Sequence, residues 1–192
     1  MSKLNTITQE AYAEEKVVVA EGRRQRHRVE VFAISADNKI LATSTEMNGY
    51  LELPGGGINM NEDTLAAAVR ETEEEAGWVV TNPRLLDIRG NWGYIAPDES
   101  WLKHHGYDEE VNFVVVCDAV EFKPKDNYRS EGDGRTHELL PVQQVVKETV
   151  YGMNSCEDTR VKLLGQLRLT AIKMLFGEQQ VQVESLPLLY KW

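Results

Sequence analysis

One stretch of this chain restricts its fold more than any other. It runs Pro54-Gly55-Gly56-Gly57-Ile58-Asn59-Met60-Asn61-Glu62 and continues to Arg70-Glu71-Thr72-Glu73-Glu74-Glu75-Ala76-Gly77-Trp78. Three glycines after a proline do not continue a strand, so the chain turns there. The next segment reads as one helix over Glu62 to Ala76, with Asn61 as N-cap, Glu62 and Asp63 at the positive end of the dipole, and Gly77 at C′. Leu65, Ala68, Val69, Thr72 and Ala76 recur at helical spacing and form the stripe that should face a core. With Thr72 at zero and about 100° per residue, Glu71, Glu75 and Glu74 fall at about −100°, −60° and −160°. Three carboxylates therefore share an arc beside the buried stripe. Glu73 falls on the other flank, and Arg70 lies within one turn of Glu74.

Such an arrangement opposes folding. Two carboxylates about 6 Å apart, at an effective dielectric of about 20, repel by roughly 3 kcal/mol. A hard divalent cation with oxygen ligands removes that penalty. Arginine before glutamate at i,i+4 is the weaker orientation for helix stability, so holding carboxylates in place explains Arg70 better. A bare glutamate cluster is commonly a solvated acidic face. The glycine loop at this fixed spacing points the other way.

The rest of the composition sets bounds. The chain has 192 residues, 42% hydrophobic and 27% charged, and a net charge of −10. This is the size of one domain and the make-up of an ordinary globular chain, not a disordered or membrane-embedded one. No apolar run approaches the roughly 20 residues of a membrane span, and the first residues lack a signal-peptide pattern, so the cytoplasm is expected. Two cysteines make no disulfide framework, and Cys117 in Val114-Val115-Val116-Cys117 reads as a buried thiol. The acidic balance repels nucleic-acid backbones, so no stable nucleic-acid partner is expected. It leaves room for a small anionic substrate held through cations.

Short strands are expected at Val17-Val18-Val19, Val29 to Ile34, Lys39 to Thr43 and Tyr50 to Leu53. Others should lie at Trp78-Val79-Val80, Arg84 to Ile88 and Val111 to Phe122, with helices at Val142 to Tyr151 and Thr159 to Phe176. The run Arg23-Arg24-Gln25-Arg26-His27-Arg28 reads as a solvated turn between strands or, alternatively, as a patch that attracts substrate phosphates. Strands and helices without regular βαβ alternation point to a mixed α/β sandwich. The chain divides into an extension over 1–27 with one strand, a domain over 28–176, and a tail over 177–192 that either docks on the domain or joins a homodimer contact.

The pattern G-x5-E-x7-R-E-U-x-E-E-x-G-U, with U bulky and apolar, is met at Gly56, Glu62, Arg70, Glu71, Glu74, Glu75, Gly77 and Trp78. In this the chain resembles the Nudix hydrolase family. Thr72 stands where an aliphatic residue is usual, and Trp78 is larger than the common Ile or Val. The resemblance implies an α/β/α sandwich with a mixed sheet and the box as a loop–helix–loop, extending over roughly Arg28 to Phe176. It implies a Mg²⁺- or Mn²⁺-dependent hydrolase that cleaves the diphosphate linkage of a nucleoside diphosphate joined to another group.

On that basis Glu71, Glu74 and Glu75 are expected to bind metal, with Glu71 also helping to activate water. Arg70 orients the carboxylates, Gly55, Gly56 and Gly57 shape the substrate loop, and Glu62 braces it. A later carboxylate serves as base or extra ligand, with Glu110 preferred over Glu99, Glu109 and Glu138. Arg28 and Tyr94 are expected at the substrate, and Trp92, Trp101 and Tyr107 are further candidates for stacking on a base. Tyr94 lies about sixteen positions beyond Trp78, which leans toward dinucleoside polyphosphates, with nucleoside triphosphates also open. Two other readings compete: a non-catalytic module that senses nucleotide metabolites, and an RNA 5′-end pyrophosphohydrolase drawing on Arg23 to Arg28.

Overall fold

Strand β2 (Arg23–Ile34) sets the architecture, because its two faces carry different residues. The computed structural model describes residues 17–20, 22–45, 50–88, 93–95, 105–128 and 135–181; the side chains of 17–20, 23, 44–45, 93–95 and 135 lie outside that description. Val29, Val31 and Ala33 point to one side of the sheet, into a core with Leu41, Ile58, Ala67, Ala68, Ala76, Val115 and Cys117. Phe32 points to the other, into a core with Ile40, Val114, Val116, Leu140, Val145, Leu167 and Ile172. Apolar residues on successive positions of one strand are the mark of a sheet buried on both faces. Layers of helix, sheet and helix follow, as the α/β/α expectation requires.

The strands are β1 (Val17–Ala20), β2, β3 (Lys39–Thr45), β4 (Leu51–Glu52), β5 (Trp78–Leu85), β6 (Gly93–Ile95), β7 (Glu109–Phe122) and β8 (Arg135–Pro141). The central order is β4-β3-β2-β7-β5, with β1 on β2, β6 on β7 and β8 on β3. Strands β2 and β7 run parallel, with Val31 opposite Val115, and the other pairings are antiparallel, so the sheet is mixed. The expected turn at Arg23 to Arg28 is overturned, since these residues form the first half of β2. Pairing with β7 sets Arg26 opposite Glu110, an opposite-charge pair, and Gln25 opposite Glu109, a polar one, and both support the run across the strands.

Strands β2 and β3 meet only at Ile34 and Ile40. Upstream of that point the fork between them is filled by the glycine loop. Val31 N donates to Pro54 O at 2.8 Å, Val29 N to Gly56 O at 2.9 Å, and Ile58 N to His27 O at 2.9 Å. The loop thus completes the hydrogen bonding of an otherwise open strand edge.

The box helix begins later and ends differently than its sequence suggests. Helix α1 (Thr64–Glu71) is capped by Asp63, whose carboxylate accepts from Leu65 N and Ala66 N at 2.9 Å. Asn61, the expected cap, instead takes φ 67° and turns the chain into the helix. A π turn (Thr72–Ala76) follows, and Gly77 closes it at φ 66°, in the left-handed conformation expected of it. Thr72 is fully buried, and its hydroxyl donates to Ala68 O at 2.8 Å, which satisfies the group where an aliphatic side chain is usual.

Helix α2 (Val142–Ser155) runs a turn beyond Tyr151, and helix α3 (Thr159–Phe176) has the expected bounds. Strand β5 is continuous where two pieces were expected, because a bulge between Thr81 and Arg84 absorbs Pro83. Strand β8 was not anticipated. No helix among the described residues is long and apolar enough to cross a membrane.

Candidate active site

The glycine loop and the box helix approach one another more closely than side chains would permit. A Cβ on Gly55 would lie 2.2 Å from Val29 O, inside the backbone of β2, and one on Gly56 would lie 2.5 Å from the Glu71 carboxyl group. At Gly55 the β2 backbone leaves room for glycine alone, whereas at Gly56 a methyl would have to displace the Glu71 carboxyl group.

Arg70 joins the loop to the acidic turn. Its Nε donates to Glu62 Oε1 at 2.8 Å and its Nη2 to Glu62 Oε2 at 2.9 Å, a two-pronged pair. The same Nη2 donates to Gly57 O at 2.8 Å, while Nη1 donates to Glu71 Oε1 at 2.7 Å and to Glu74 Oε2 at 3.3 Å. Burial works against the Arg70 charge, but its bonds to Glu62 and Glu71 outweigh it and raise the pKa. Burial likewise pushes the Glu62 carboxyl up, and Arg70 with the Asn59 N–H pulls it below its ordinary range.

Glu75 reaches the loop from the other direction, accepting from Gly55 N at 3.0 Å. Glu74 Oε1 accepts from Asn127 Nδ2 at 3.3 Å, and Glu73 pairs with Lys125 at 2.5 Å, both partners lying in the segment after β7. Sequence reasoning missed these two residues, and nothing local to 123–128 signals the role.

Glu71 is buried, and Glu74 exposes 14% of its side chain, so the acidic turn is not spread into bulk solvent. Among the described residues no three acids, histidines or cysteines close around one point where a metal would sit. Glu71 and Glu74 instead bond to Arg70, and Glu75 to Gly55 N. The donor set itself suits a hard divalent cation: three carboxylates from one helical turn, Glu71 and Glu74 positioned by Arg70 and Glu75 by Gly55 N–H.

Across the loop lies a second cluster. Glu110 is fully buried and accepts from Arg26 Nη1 at 2.7 Å, from Asn112 at 3.3 Å, and from Arg160 Nε and Nη2 at 3.3 and 3.5 Å. Burial raises its pKa, but Arg160, Arg26 and Arg28 overcome that and hold it at about 2. Arg28 donates to Gly55 O and to Asn112 Oδ1, each at 3.5 Å, so the Gly55 peptide lies between Arg28 and Glu75. Burial, and then repulsion by Arg160, lowers the pKa of Arg28.

A third pair, Glu30 with Arg168 of α3, is buried in the same layer, and Arg168 also donates to Leu51 O at 2.9 Å. Its sequence signal was available: Glu30 stands between two core valines, and Arg168 between two core leucines.

Tyr94 pairs through its backbone with Glu110, and its side chain lies outside the described residues. Trp92, Glu99 and Trp101 also lie outside them. Tyr107 and Glu109 are buried, Glu109 accepting from Gln25 at 2.8 Å, and Glu138 is exposed on β8.

Comparison with known proteins bears on the family and the fold. Residues 24–155 match the NUDIX domain family, which is more than half of the chain. The uncharacterized Nudix hydrolase YvcI of Bacillus subtilis (strain 168) is 25% identical over 118 residues, covering 62% of this chain and 70% of that protein. Among solved structures, a NUDIX hydrolase from Nitrosomonas europaea is similar at 17% identity and TM-score 0.51, covering 77% of this chain and 89% of that one. A structure described as ADP compounds hydrolase is similar at 15% identity and TM-score 0.52, covering 79% and 75%. At these identities the two structures speak for the fold alone. With the box complete and the family match spanning most of the sheet, the chain belongs to the Nudix hydrolase family.

Proposed function

We propose that the protein hydrolyses the diphosphate linkage of a nucleoside diphosphate joined to another group, using Mg²⁺ or Mn²⁺ held by Glu71, Glu74 and Glu75. The observation that carries this reading is the Arg70 hub. It ties Glu71 and Glu74 to Glu62 and Gly57, giving two of the three like charges on this turn a shared scaffold. Stability alone gives no reason for that crowding.

A bound divalent cation would offset charge at the attacked phosphorus and acidify the attacking water. The chain's own residues supply position. Gly55, Gly56 and Gly57 bring the loop backbone against the acidic turn, and Arg28, behind Gly55, offers positive charge to a phosphate oxygen. Glu71 assists by accepting a proton from water as its oxygen bonds to phosphorus and the bridging P–O bond breaks. Glu110 carries its negative charge far into acid and is shared among arginines, so holding Arg26 and Arg160 suits it better than taking up a proton. Tyr94, at the Glu110 end of the sheet, is proposed to stack on a base, which keeps the lean toward dinucleoside polyphosphates. Arg26 is buried, which leaves less of a surface patch for an RNA end.

The test is a nucleotide panel with Mg²⁺ or Mn²⁺ and product identification by mass spectrometry. At least one member should yield a mononucleotide or phosphate. Glu74→Gln should lower that rate by at least about 100-fold, the upper end of what losing even an outer-shell partner of a metal costs. Binding without turnover across the panel would instead favour a sensing module, and full turnover by the variant would remove the metal role of Glu74.

A further inference from the structure

Beside the glycine loop, on the α3 side of the sheet, lies a small open pocket lined by Arg28, Tyr50, Glu52, Arg160, Leu164 and Arg168, among others. Its arginines are unequally partnered. Arg168 belongs to Glu30, and Arg26, next to the pocket, belongs to Glu110 at 2.7 Å. Arg28 forms no ion pair among the described residues and donates only to neutral oxygens, at 3.5 Å. Arg160 touches Glu110 only at 3.3 and 3.5 Å, with a third of its side chain exposed. Those are long distances for charge-assisted bonds. Because Glu110 keeps Arg26 and Asn112, it stays satisfied when Arg160 leaves.

We propose that Arg28 and Arg160 form an anion subsite for a phosphoryl group of the substrate, with Arg160 exchanging Glu110 for that group. The assignment rests on the hydrolase reading for what brings the anion there. Gly55 provides the link, since its N–H binds Glu75 while its carbonyl accepts from Arg28. A phosphate chain crossing this one residue would have one phosphoryl group at the acidic turn and another at the arginines. Substrates with two or more phosphoryl groups in a row would then be favoured over monophosphates. Glu52 lines the pocket, and Asp158 caps α3 next to Arg160, so the site is balanced in charge and accepts an anion by rearranging its arginines. The fully buried Glu30 Oε2, which lacks a hydrogen-bond partner, lies in the same layer; burial and Arg160 together make Arg28 less basic than usual. Both features fit a cluster not yet fully satisfied without a ligand.

The experiment titrates the purified full chain with inorganic pyrophosphate in EDTA by calorimetry, where the carboxylates of the acidic turn repel the probe and only the arginines can hold it. Wild-type protein should bind. Arg160→Ala should bind at least about tenfold more weakly, the scale of one lost charge-assisted hydrogen bond, and Arg160→Lys should recover part of that loss. With a turned-over nucleotide, Arg160→Ala should raise KM more than it lowers kcat. Equal pyrophosphate affinity in wild type and Arg160→Ala, or no binding by wild type, overturns the subsite. Glu74→Gln should still bind pyrophosphate in EDTA. A chain that turns over no nucleotide yet shows the Arg160-dependent binding refutes the hydrolase reading and leaves the subsite standing.

Discussion

At the scale of single residues, the box was open to reading and the buried ion pairs were not. Glu71, Glu74, Glu75, Arg70 and the glycines follow from local spacing, because they sit on one loop and one helical turn. Arg26 with Glu110, and Glu30 with Arg168, pair across long sequence separations; the apolar neighbours of Glu30 and Arg168 mark each as buried, but no local pattern reveals which residue is its partner. Glu110 makes the clearest prediction. Its pKa is about 2 in the folded protein, well below the ordinary carboxylate range, so the unfolded chain binds its proton first as the pH falls. The pair's contribution is therefore fully present above about pH 4.5 and is lost as the pH drops toward 2, an effect on the order of 3 kcal/mol. Urea unfolding of Glu110→Gln should show a large deficit against wild type at pH 7 and a much smaller one near pH 3. An equal deficit at both pH values would mean that Glu110 is not held ionised by Arg26, Arg28 and Arg160.

Among secondary-structure elements, most strands and helices lay within reach of hydrophobic patterning, and the errors share a cause. The turn expected at Arg23 to Arg28 became strand because β7 supplies Glu109 and Glu110 opposite it, a tertiary partner that overrides local polarity. Strand β8 (Arg135–Pro141) escaped notice because Thr136-His137-Glu138 carries no apolar alternation, and its order comes from pairing with β3. The π turn at Thr72–Ala76 breaks the regular 100° rotation on which the angular reading of Glu74 and Glu75 relied. The contact between loop and helix can be tested through Gly56→Ala. Its methyl would meet the end of a flexible side chain, Glu71, rather than backbone. Stability should therefore change by no more than about 1 kcal/mol, while Glu71 is displaced and turnover falls at least about tenfold. Circular dichroism with a urea melt checks the first part, and a rate measurement checks the second. Unchanged turnover would show that the approach of Gly56 to Glu71 has no functional part.

For the molecule as a whole, the two cores divide the labour. One seats the box helix on the β2–β7 pair, the other seats α2 and α3, and the glycine loop passes between the layers at the fork of β2 and β3. This places an acidic turn and an arginine cluster on either side of one residue, Gly55, in a chain whose net charge is −10. Such a surface repels phosphate unless cations or arginines intervene. The most direct check on the cation half is Mn²⁺ binding followed by electron paramagnetic resonance, comparing wild type with the combined Glu71→Gln, Glu74→Gln and Glu75→Gln variant. Wild-type protein should bind Mn²⁺ saturably, and the variant should lose that binding while its circular dichroism spectrum stays native. Equal Mn²⁺ binding by both proteins, or none by the wild type, would contradict the metal role of these carboxylates.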